Sequence, residues 1–94
     1  MELVGTRKED FYTISQYRIT NAETLKAVKS YLMYDEDDKK VLKLGNVFID
    51  FMYDNKTSEL MIGGVTDIKS STWELYPDQV AELFGDKYSK VMAA

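Results

Sequence analysis

The run from Val47 to Tyr53 constrains this chain more than any other part of its sequence. In an extended backbone, Val47, Ile49, Phe51 and Tyr53 point to one side, while Phe48, Asp50 and Met52 point to the other. Alternation with period two, built from β-branched and aromatic residues, is a strand signal that does not suit the 3.6-residue period of a helix. Turn formers follow in Asp54-Asn55-Lys56-Thr57, and the chain returns through Leu60, Met61, Ile62 and Val65. An antiparallel pair, Val47–Tyr53 against Glu59–Val65, is therefore expected at the heart of the fold. Within its second arm, Gly63-Gly64 marks a bulge or a close backbone approach.

Two amphipathic helices flank this hairpin in sequence. Thr20-Asn21-Ala22-Glu23 reads as a capping box, with Thr20 holding the N3 amide and Glu23 reaching back. The helix it opens, about 21–33, carries Ala22, Leu25, Val28 and Leu32 on one stripe, flanked by Lys26 and Lys29. Near the C-terminus Pro77 suits a first helical position and Asp78 the positive end of the helix dipole. Val80, Leu83, Phe84, Tyr88 and Val91 form the apolar face there, and Gly85 either weakens that helix or marks a close contact with another backbone. Phe11 to Ile19 reads as a further strand and Thr72 to Leu75 as a short one, while the polar residues 1–10 are expected to fray.

The order β-α-β-β-(β)-α predicts one α+β domain over 1–94. Its economical packing is a two-layer sandwich, an antiparallel sheet of three to four strands with both helices on one face. Ninety-four residues support one modest core, since a chain this short buries only about 60–68% of the surface its unfolded form exposes. Little is left for a deep enclosed site.

The residue inventory narrows the chemistry further. Cysteine and histidine are both absent, which removes disulfides, thiolates, imidazole bases and the soft metal ligands. Ser15, Ser30, Ser58, Ser70, Ser71 and Ser89 lie in no G-x-S-x-G elbow, and neither a P-loop nor a G-x-G-x-x-G turn is present. The expectation is a protein that is not an enzyme, with no catalytic, cofactor or metal residues. The acidic run Asp35-Glu36-Asp37-Asp38 invites a calcium reading, but an EF-hand started at Asp35 meets Lys39, Lys40 and Asn46 where it needs an acid, a glycine and a glutamate.

Charge points in the same direction. Twelve basic against sixteen acidic residues leave a net charge of −4, and only Arg7 and Arg18 supply the guanidinium fork that reads phosphates and bases. Direct nucleic-acid binding is therefore disfavoured. No stretch approaches the ~18 consecutive apolar residues of a membrane span. The lack of cysteine and of an apolar leader pattern in residues 1–10 leads to an expected cytoplasmic location.

What remains is the outside of the molecule. Asp78, Glu82 and Asp86 recur every four residues, so on a continuous helix they form one ridge opposite the apolar stripe, with neighbours about 6 Å apart. The bland alternative is a solvated face, with Asp86 paired to Lys90. Seven tyrosines exceed what one small core buries with every hydroxyl satisfied, and Tyr31 and Tyr34 adjoin the acidic run. Tyr31, Tyr34, Asp35, Glu36, Asp37, Asp38, Asp78, Glu82 and Asp86 are accordingly the candidate partner-binding residues. The function expected from them is a small acidic protein-interaction module, an inhibitor or regulator whose partner is a basic, nucleic-acid-binding protein in the sharpest form of the reading. The composition, rich in lysine, tyrosine and aspartate, resembles small proteins of AT-rich bacterial or phage genomes, which include many host-directed inhibitors. Two other classes stand beside it: an assembly subunit that buries spare aromatics in a homo-oligomer, and a small-molecule or divalent-metal-dependent enzyme.

Overall fold

Alternation places Val47–Asp54 as a strand, and the fold is built around it. The computed structural model describes residues 1–32, 40, 42–67 and 72–93, with the backbone alone at 72 and 86–93. In chain order the elements are β1 (Glu2–Glu9), β2 (Tyr12–Arg18), α1 (Ala22–Tyr31), β3 (Val47–Asp54), β4 (Glu59–Asp67), β5 (Thr72–Leu75) and α2 (Pro77–Ala93). The five strands form one antiparallel sheet in sequential order, so β3 is its middle strand. The fold is α+β, with both helices against one face of the sheet.

Register explains which side chains are buried. Ser15, Tyr17 and Ile19 line up beside Phe51, Ile49 and Val47, and Gly63 and Val65 lie beside Phe51 and Ile49 on the other flank. Trp73 and Leu75 of β5 extend the same face. Leu25 and Val28 of α1, Leu32 just after it and Val80 of α2 close over it, giving a core in which Phe51 is 1% exposed. The rings of Tyr17 and Phe84 meet Phe51 edge-on at 5.7 and 5.5 Å, a geometry favoured by the ring quadrupole. Burial on this scale stabilises by about 1.5–3 kcal/mol for each large apolar side chain.

Gly63 lets α2 come down onto β4. A Cβ at that position would lie 2.8 Å from Cγ2 of Val80, closer than side chains tolerate. The close approach expected at Gly63-Gly64 is therefore real, and it is made by a helix side chain. The bulge lies two residues earlier, at Met61, where the β3–β4 register shifts.

The sheet has one strand more than three to four. The addition is β1, in the stretch read from sequence as fraying. Every residue of β1 is exposed, so no burial pattern announces it. It is held instead by its backbone ladder to β2 and by the Thr6 hydroxyl, 3.3 Å from that of buried Ser15. A two-residue hairpin, with Asp10 at φ 54°, joins the two strands; Asp is among the few residues that accept that conformation. The second hairpin is pinned by side chains. The carboxylate of Asp54 accepts from the amides of Lys56 and Thr57, and the Asn55 amide group donates to the Phe11 carbonyl and the Thr13 hydroxyl.

The start of α1 also differs in detail. Asn21, not Thr20, is the N-cap, its Oδ1 accepting from the amides of Glu23 and Thr24 at 2.8 and 3.1 Å. Both residue types cap well; the chain leaves the extended conformation one residue later than the Thr20 pattern implies.

Candidate functional site

The helical layer carries the candidate residues, and its local geometry decides which of them meet. At the start of α2, Tyr76 occupies the capping position. Its backbone N–H donates to Oε1 of Gln79 at 2.9 Å, and its carbonyl accepts from the amide of Val80. This is half of a capping box, with Pro77 at the first helical position where the missing N–H costs nothing. Asp78 and Glu82 then lie one turn apart, both exposed, on the side of the helix away from buried Val80. Asp78 falls in the first turn, where the helix dipole favours a negative charge.

From the other helix Tyr31 reaches this face. Its ring packs against the core cluster, and its hydroxyl faces the carboxylate of Glu82. Hydrogen bonding to that carboxylate, followed by burial and by the negative charge of Glu82, raises the Tyr31 pKa above the ordinary tyrosine value. Two residues chosen from separate elements thus become neighbours on one surface, an acidic edge against a half-buried tyrosine.

The remaining candidates divide. Tyr34 and the acidic run Asp35, Glu36, Asp37 and Asp38 lie outside the described residues. Asp86 does not continue the ridge as a regular helix would. Gly85 takes φ 52° and ψ −136°, which interrupts the helical path between Glu82 and Asp86, so the 100° step per residue that aligned the three carboxylates fails there. Glycine is the one residue that reaches such angles at no steric cost. Gly85 does not mark close packing, since a Cβ there would meet nothing within 4 Å. The ridge is reduced to Asp78 and Glu82.

Tyr76 was not among the residues singled out, yet at 59% exposure it is a prominent apolar feature of the surface, two residues from Asp78. Its signal lay in the Tyr-Pro-Asp sequence. The residue before a helix-opening proline stands outside the helix and is free to project. Tyr12, Tyr17, Tyr31 and Tyr53 are partly buried, in keeping with more tyrosines than one core can enclose.

Among the described residues, no group of three or more acidic side chains is arranged to hold a metal ion. No helix of the described residues is long and apolar enough to cross a membrane. Compared with protein-family models, curated proteins and solved structures, the chain gives no match.

Proposed function

We propose that this chain is a small acidic protein-interaction module, an inhibitor or regulator that binds a basic partner protein through the surface around Tyr31, Asp78 and Glu82. The observation that supports this reading is the approach of Tyr31 of α1 to Glu82 of α2, which sets an aromatic beside a carboxylate of the second helix. Tyrosine offers large, rigid contact area at low entropic cost, and a carboxylate rim steers a cationic partner. Tyr76 extends the surface at the helix start. The acidic residues 35–38 follow α1 in sequence within a few positions of Tyr31, so the same reading assigns them to the same interface.

Capture from cell extract with a tagged chain tests the proposal when the wild type is compared with a variant carrying Asp78→Lys and Glu82→Lys. The reading expects a basic protein retained by the wild type and depleted on the variant, with both chains folded by circular dichroism. Identical captures by the two would remove the acidic surface from the account.

A further inference from the structure

The sequence of α2 and its backbone disagree at one point. On a continuous helix, at about 100° per residue, Val80, Leu83, Phe84, Tyr88 and Val91 fall within an arc of about 140°, and Asp78, Glu82 and Asp86 within about 80° on the opposite side. Lys87 is the one charged residue inside the apolar arc, and a lysine stem can cover such a surface with its head in water. The phase therefore runs unbroken from 77 to 93. The backbone does not. It is helical on both sides of Gly85, but Gly85 itself takes φ 52° and ψ −136°. Residues 86–93 carry the pattern of a straight helix on a bent one.

Nothing props the bend from the side where a side chain would stand, since a Cβ on Gly85 would meet no atom within 4 Å. The turn before it is anchored: Val80 is fully buried, and the Phe84 ring stands edge-on to Phe51 at 5.5 Å. One arm is thus fixed on the core, and the joint beside it is the residue type that accepts both conformations. Inside a helix glycine is disfavoured relative to alanine by only about fivefold. Glu82 and Asp86, like charges one turn apart on the straight helix, oppose it by a further factor of about two. Penalties of that size are ones that a ligand with a preference for the straight form overcomes.

We infer that Gly85 is a hinge at which α2 passes between the bent form and a straight one, and that straightening brings Asp86 into line with Asp78 and Glu82. The three-carboxylate ridge exists only in the straight form. Its own repulsion opposes that form, and a cationic segment lying along it removes the repulsion. Such a ligand binds the straight form more tightly and shifts the population toward it. The choice of a cationic ligand rests on the acidic-surface reading proposed above; the hinge does not, because it follows from the backbone and phase of α2 alone.

Backbone ¹³Cα chemical shifts of residues 84–88 read the hinge, and a decalysine peptide serves as the cationic probe. Gly85→Ala removes the bent form, because a side chain at that φ is strained, and leaves helix as the favoured conformation. The variant is expected to show helical shifts throughout 84–88. It should also bind decalysine about fivefold more tightly than the wild type, whose apparent affinity is reduced by the fraction bent. Decalysine should move the wild-type shifts toward those of the variant. Adding Asp86→Asn to Gly85→Ala should keep the helical shifts and lose most of the gain in affinity. Should Gly85→Ala not fold, the wild-type response decides alone. Shifts at 84–88 that stay non-helical in the folded variant, or wild-type shifts that do not move toward helix as decalysine saturates, would overturn the hinge. Helical shifts in the variant with no decalysine binding by either chain would instead overturn the acidic surface as a cation site, and with it the ligand assigned to the straight form.

Discussion

Gly63 is where the two layers touch most closely, and it makes a direct test of the packing. Replacing it with alanine drives a methyl group into Val80, a fully buried side chain. Overpacking of this kind costs about 1–3 kcal/mol, a large share of the ~5–15 kcal/mol that holds an ordinary domain together. Chemical denaturation should show that loss for Gly63→Ala. Adding Val80→Ala should recover part of it, because the two residues share one contact and their effects then fail to add. Tyr31 supplies a second test through pH. Folding raises its pKa, so the folded chain holds that proton more tightly than the unfolded one. The resulting stabilisation is complete below the ordinary tyrosine pKa of about 10 and is lost as pH climbs through the raised value. Burial raises Tyr17 as well, so Tyr31→Phe should make the alkaline fall in stability shallower without removing it, as read by denaturation midpoints between pH 8 and 12.

Elements show where sequence and structure part company. The β3–β4 hairpin, the two helices and β5 were legible because each buries a periodic apolar face, and burial is what patterning records. β1 was not, since its eight residues are all exposed and its hold comes from backbone bonds that leave no trace in side-chain type. The kink at Gly85 was half legible: glycine signalled trouble in the helix, but only the backbone angles distinguish a break from a weak turn. The same break took Asp86 out of the expected ridge. The contact between Tyr31 and Glu82 lay beyond reach, because it depends on how α1 and α2 cross the sheet rather than on spacing within either. The cap of α1 turns on a one-residue choice that mutation can decide. Asn21→Ala should cost about 1 kcal/mol of stability, measurable by urea denaturation. Thr20→Ala, at an exposed position that makes no capping bond, should change stability by less than about 0.5 kcal/mol.

At the scale of the whole molecule, the two faces of the sheet differ in chemistry. One side carries an acidic, tyrosine-bearing helical surface; the other is the sheet face that holds Phe48, Asp50 and Met52. If the helical surface recruits a basic partner, the attraction acts before contact and belongs mainly to the association rate. Salt screens it over a Debye length of about 8–10 Å at physiological strength. The most direct measurement is the association rate of the captured partner with the wild type and with Glu82→Lys, taken from about 20 mM to about 500 mM salt by surface-immobilised or stopped-flow kinetics. The account predicts a wild-type rate that falls about tenfold or more across that range, and a Glu82→Lys rate that starts lower and depends less on salt. Rates that ignore both salt and the charge at position 82 would contradict it.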